Sequence, residues 1–195
     1  MNDSARPLGG ANAFFVGLAV FLLALYLLKP APWLLVYDRV AVSQGEIWRL
    51  LSGAAVHVSG VHLALNLVGL ALIWLLFGFR LSSGEWWFAA LFTAVVGGAL
   101  GFVVNPDLRY SLGASGLLHG LLAAGCLAEI RQRGPIGYLV LAILVAKILA
   151  EQFSDVTTAR WLANPVNVHA HWQGAAAGGG ALLLLAVYTR LRQRR

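Results

Sequence analysis

The sequence predicts an all-α membrane protein, a bundle of six transmembrane helices, and two observations carry that prediction. Of its 195 residues 59% are apolar and only 11% are charged, far from the balance of soluble domains. The apolar residues also come in uncharged runs of the length needed to cross a hydrocarbon core, about 20 helical residues. These runs are 11–28, 60–79, 86–104, 111–128 and 170–189, with a weaker sixth over 136–151 that contains Lys147. Backbone groups in lipid must be satisfied within each segment, so such runs are helices and not barrel strands. A single domain over residues 1–195 is expected.

The first run resembles a secretory signal only superficially. It is long, has Arg6 as its one upstream basic residue and lacks a clear small-residue cleavage site, so a retained helix is expected. Residues 29–49 are long for a bundle connection. Pro30 and Pro32 break the helix before them, and Trp33, Tyr37 and Trp48 are residue types favoured at headgroup level; a structured loop partly sunk in the outer interface follows. In the second helix His62 and Asn66, four apart, share a face, whereas His57 falls in the loop just before it. A short turn over 80–85 leads to the third helix, whose Gly97, Gly98 and Gly101 permit close helix approach. The loop over 105–110 then enters the fourth helix with Ser115 near its outer end. After the turn over 131–135 comes the fifth and least hydrophobic helix, where Lys147 and Glu151, four apart, are expected to pair near the outer end. Residues 152–168 form a second long outer segment with Trp161 and Pro165 at the interface. The sixth helix begins near His169 to His171, with His169 at its entrance in an interfacial role.

The net charge of +6 raises the question of a nucleic-acid partner, which the positions of the cations answer. With six crossings both termini share a side, and that side collects Arg6, Arg80, Arg131, Arg133, Arg190, Arg192, Arg194 and Arg195. The other side holds Lys29, Arg39, Arg49, Arg109 and Arg160 beside Asp38, Glu46, Asp107, Glu151 and Asp155. The excess of cations places both termini in the cytoplasm. The basic tail reads as an orientation anchor, and no nucleic-acid partner is expected. The one cysteine, Cys126, cannot form an internal disulfide and says nothing of redox compartment.

For chemistry, the stretch "GASGLLHG" (113–120) sets Ser115 between glycines at the head of an apolar run. A serine hydroxyl is a poor nucleophile without an adjacent base. His171 is the candidate base, since its helix also starts outside and reaches similar depth. Gly116 and Gly120 on helix four, and Gly174 and Gly178 on helix six, form small-xxx-small faces that let two backbones come close. The plain alternative is that these glycines only pack helices while the serine bonds its own backbone. Against it stands the coincidence of Ser115, His171, His62 and Asn66 near the outer ends of helices, because polar groups inside membranes are costly and mark function. A metal or haem site built from the five histidines is disfavoured: His57 and His62 do not share a face, and no acidic ligand is expected near the cluster. No cofactor and no metal are therefore expected. A transporter would show broken helices and a midplane site.

Taken in order along the chain, "WR" at 48–49, "HVSGVHLALN" at 57–66, "GASG" at 113–116 and "AHWQGAAAG" at 170–178 resemble the rhomboid intramembrane serine proteases over nearly the whole sequence. The resemblance implies a rhomboid-like bundle in which Ser115 is the nucleophile and His171 the base, a dyad with no aspartate. It implies further that His62, Asn66 and the Ser115 backbone N–H form the oxyanion hole, and that His57 shapes a polar, water-admitting mouth. The substrate would be a membrane-anchored protein cut near the outer face of a bacterial inner membrane, with the site opening to the periplasm and the lipid bilayer as surroundings. One position departs from the pattern: four residues after the serine, where rhomboids carry an aromatic packed on the histidine, stands His119. It is either a second base or orienting partner, or a packing substitute. This histidine, the compact frame and the "AHWQGAAAG" form resemble the rhombosortase branch, implicated in removing glycine-glycine C-terminal sorting tails. Lys147 and Glu151 either neutralise each other locally or touch a polar part of the substrate at a gate beside helix five. The alternatives left open are a rhomboid protease with other substrates and a non-catalytic rhomboid-like binding protein.

Overall fold

The computed structural model describes residues 8–28, 32–153 and 167–194. Six long helices are labelled here α1 (Leu8–Leu28), α2 (Gly60–Phe77), α3 (Ser83–Val104), α4 (Ser115–Arg131), α5 (Pro135–Phe153) and α6 (His169–Gln193). Each expected apolar run is a helix, and the differences at the ends have local causes. Helix α4 starts at Ser115 and not at 111, because Ser111 is spent in a two-residue antiparallel ladder: β1 (Tyr37–Asp38) pairs with β2 (Tyr110–Ser111), Tyr37 opposite Ser111. Helix α3 starts earlier than expected because Ser82 and Glu85 form a reciprocal capping box. Helix α6 runs on to Gln193, its last turn carrying Arg190 and Arg192, cations that suit the negative end of a helix. Trp161 and Pro165, along with Arg6, Lys29, Pro30, Asp155, Arg160 and Arg195, lie outside the described residues.

Five of these helices, α1, α2, α3, α5 and α6, are long and apolar enough to cross a membrane. Helix α4 has 17 residues, about 25 Å at 1.5 Å per residue, and it occupies the middle of the bundle, packed against α2, α3, α5 and α6. Its own residues explain that place. Gly120, Ala123, Ala124, Gly125 and Ala128 are small and buried, so four neighbours can crowd one axis. The seam with α6 is the tightest. A methyl group added at Gly174 would overlap the Gly116 carbonyl, and one added at Gly178 would overlap the Gly120 carbonyl. Outward-facing side chains such as Val20, Leu72, Leu75, Leu139, Ile143 and Leu183 are exposed. An apolar girdle of this kind suits acyl chains and not water.

At the end where α2, α4 and α6 begin, the segment after α1 folds into the short helices Pro32–Leu35, Arg39–Ser43 and Arg49–Ser52. Arg49 holds it together: Nη1 donates to the carbonyls of Trp33 at 2.6 Å and Val36 at 2.8 Å, and Nε to Glu46 at 2.7 Å. Trp33 and Trp48 are exposed as expected for interfacial residues, but Tyr37 is buried. Its place in the ladder turns it inward over Gly53, where an added Cβ would stand only 3.0 Å from Tyr37 and crowd it. At the opposite end Arg80 forms a salt bridge with buried Glu129, and its backbone carbonyl accepts from Gln132 Nε2 at 3.0 Å.

Candidate active site

Ser115 is the first residue of α4, and its approach is fixed by Gly113. That glycine has φ of 105°, a conformation side chains rarely adopt. A Cβ there would also run into the His62 imidazole. Its N–H donates to the Gly53 carbonyl at 3.0 Å. The turn therefore delivers Ser115 beside α2 with its backbone pressed against His62.

His171 enters from the first turn of α6, where Ala170 rests on Gly116. The Ser115 hydroxyl donates to His171 Nε2 at 3.2 Å, and the imidazole is 2% exposed. The pair expected from helix depth and glycine spacing is thus in hydrogen-bond contact.

The surroundings of His171 differ from expectation in one respect that matters. Its Nδ1–H donates to Glu151 Oε2 at 2.7 Å, while Lys147 Nζ donates to Glu151 Oε1 at 2.7 Å. The expected Lys147–Glu151 pair does form. The expectation that no acidic group stands near the histidines is overturned: α5 ends against the start of α6, and its last turn points the carboxylate inward, where it is 6% exposed. Lys147 Nζ also donates to His119 Nε2 at 3.0 Å, and His119 Nδ1–H donates to the Ser115 carbonyl at 2.7 Å. The His119 and His171 rings stack at 4.1 Å with an angle of 9°. Both nitrogens of His119 are therefore engaged and its ring lies flat on His171.

This ring of contacts fixes the protons. A carboxylate held by an ammonium can only accept, so His171 carries a proton on Nδ1, and as a neutral imidazole it presents the Nε2 lone pair to the serine. A carbonyl can only accept as well, so His119 is also the Nδ1–H tautomer. His119, Glu151 and His171 bring three ligand-type atoms within 4.8 Å of one another. The Lys147 ammonium donates to two of these residues, so the cluster already contains its cation.

On the other flank Asn66 Nδ2 donates to His57 Nε2 at 2.9 Å, and the His57 and His62 rings meet edge to face at 5.1 Å. His57 lies in the loop before α2, as expected, but it is buried and braces Asn66 instead of standing at an open mouth. Burial, reinforced by the nearby His62, pushes the His57 pKa down to about 4, so at neutral pH it is an uncharged acceptor. His169 opens α6 and is exposed.

Sequence reasoning missed the cavity of about 70 Å³ behind the serine turn, bounded by Gly113, Gly116, Thr93, Asn167 and Gln173. Buried Thr93 Oγ1 and Gln173 Nε2 have no hydrogen-bond partner among the described residues. Polar walls and this volume suit a few water molecules. Gln173 is two residues beyond His171 on the same helix, a spacing that puts the two on different faces, so the sequence carried no clear signal of it.

The arrangement defines a helical membrane protein with a serine and an imidazole meeting inside the bundle. In comparison with known families, the Rhomboid domain matches residues 44–188. The chain belongs to the rhomboid family, whose members are generally intramembrane serine proteases. No curated protein matches the chain.

Proposed function

We propose that this protein is an intramembrane serine endopeptidase in which Ser115 is the nucleophile and His171 the general base. The observation that carries this reading is the 3.2 Å contact between Ser115 Oγ and the Nε2 of a buried His171. The Ser115 oxygen attacks the scissile carbonyl carbon as its proton passes to Nε2. The tetrahedral oxyanion is met by the Ser115 N–H, by His62 and by the second amide proton of Asn66, the first being committed to His57. His171 then returns the proton to the leaving amine. Water, for which the polar cavity beside Gly116 is a natural reservoir, is activated by the same imidazole and releases the acyl group.

In this reading all six long helices cross the bilayer as one domain over residues 1–195, with both termini in the cytoplasm of a bacterium and the site toward the periplasm. Helix α4, about 25 Å long, is shorter than a hydrocarbon core of about 30 Å, which sinks Ser115 below the headgroups. The substrate is a single-pass protein cut near the outer face, and the rhombosortase-like motifs favour glycine-glycine sorting tails.

Cleavage of a tail-bearing reporter in native membranes tests this. Ser115→Ala and His171→Ala each abolish processing, a loss of at least about 10³-fold. Unchanged processing by Ser115→Ala would rule out the nucleophile.

A further inference from the structure

Building on the serine and histidine assigned above, we propose that Glu151 is the third member of a Ser115–His171–Glu151 triad, a positioning residue supplied by α5, with Lys147 and His119 holding it in place. A buried carboxylate within a membrane bundle is costly unless it is paired and hydrogen-bonded. Here each oxygen has one short partner: His171 Nδ1 at 2.7 Å and Lys147 Nζ at 2.7 Å. The contacts close a circuit through Ser115, His119, Lys147, Glu151 and His171. With both imidazoles neutral, one placement of protons satisfies every link, and it leaves the Nε2 lone pair on the hydroxyl.

The triad changes the energetics of attack without changing its stoichiometry. As the Oγ–C bond forms and the carbonyl π pair moves to oxygen, the serine proton passes to Nε2 and His171 becomes a cation. Glu151 faces that cation with a full negative charge and keeps it; the Nδ1 proton stays on the imidazole. When the C–N bond breaks, the Nε2 proton goes to the leaving amine and the circuit returns to its starting state. Lys147 keeps Glu151 ionised in the resting site.

Among the described residues, the ionisable groups that contact His171 or its partners are Glu151 and Lys147 from α5 and His119 from α4. Helix α3, also packed on α6, has Glu85 as its only ionisable residue, in its first turn at the far end. Removing the carboxylate therefore makes His171 harder to protonate, and removing the ammonium makes it easier.

The test is the rate at which a fluorophosphonate labels the full chain in membranes as a function of pH: Ser115 Oγ bonds to phosphorus, the P–F bond breaks, fluoride leaves and the hydroxyl proton passes to His171. Glu151→Gln slows labelling by about 10²- to 10⁴-fold and moves the acid limb of the profile to lower pH. Glu151→Asp, which keeps the charge, recovers part of the rate. Lys147→Met moves the acid limb to higher pH, and carries the test if Glu151→Gln does not accumulate. A Glu151→Gln protein labelled within about threefold of wild type with the same midpoint would overturn the triad and leave the Ser115–His171 pair standing, as would an unmoved limb in Lys147→Met. Equal labelling of Ser115→Ala and wild type, or none of wild type, would overturn both.

Discussion

At Asn66 the side-chain amide has two protons, and His57 Nε2 takes one at 2.9 Å; that contact makes the uncharged state of His57 part of the fold. A histidine in the unfolded chain titrates near its ordinary 6.5, whereas burial holds His57 down to about 4. Above pH 6.5 both states are neutral and the group contributes no pH dependence. Between 6.5 and 4 the unfolded chain binds more protons, so stability falls as the pH falls, by up to about 3 kcal/mol in all. His57→Gln can still accept from Asn66 but cannot titrate. Thermal unfolding between pH 7 and 4 should show a shallower decline for this variant; an identical slope would place the titrating group elsewhere. His119 illustrates what one residue can reveal in sequence. Its position one turn from Ser115 was legible, and so were its two candidate roles. What the sequence could not show is the Lys147 ammonium, 28 residues away on another helix, occupying its second nitrogen.

At the scale of helices, the Ser115–His171 contact on which the proposed activity rests depends on how closely α4 and α6 run. Gly178 lies two turns from His171, outside the reacting groups, yet a methyl group there would overlap the Gly120 carbonyl. Gly178→Ala must push the helices apart or strain them, at a cost of about 1–3 kcal/mol. It should also open the 3.2 Å Ser115–His171 contact, and a displacement near 1 Å costs roughly 10²-fold in rate. Gly179→Ala, whose methyl group would meet Leu127 Cδ1 at an ordinary 3.6 Å, should label and melt as wild type. Equal behaviour of the two variants would show that the seam does not set the geometry. This seam was readable in advance, because four-residue glycine spacing is a local pattern with a direct packing meaning. The α5 contact was not. The Lys147–Glu151 spacing announces a pair, but which way the pair faces depends on how α5 is rotated against α4 and α6, and a helix apolar on nearly every side carries little signal of rotation. Tyr37 was misplaced for a related reason: an aromatic in an interfacial loop reads as surface until the two-residue ladder with Tyr110 and Ser111 turns it inward.

For the whole molecule, helix length and charge distribution together bear on the side from which the proposed nucleophile is reached. Helices α2, α4 and α6 begin at the same end as the Arg49-pinned segment, whereas Arg80, Arg131, Arg190 and Arg192 gather at the other. In the proposed orientation, which follows the bias of cytoplasmic loops toward cations, the second end faces the cytoplasm. That orientation sets Ser115 on the outer side, and the roughly 25 Å length of α4 would sink it below the surface. The chain's one cysteine, Cys126, is buried, so a Cys126→Ala background makes single introduced cysteines readable. In that background Ser115→Cys should react with a small charged methanethiosulfonate added from outside, more slowly than Asp107→Cys in the exposed loop. Arg131→Cys should react only once the reagent reaches the cytoplasm. Modification of Ser115→Cys from the cytoplasmic side alone would reverse the orientation, since the cation count and the depth of α4 would then point to opposite faces. Reaction as fast as at Asp107→Cys would place the nucleophile at the membrane surface and not within it.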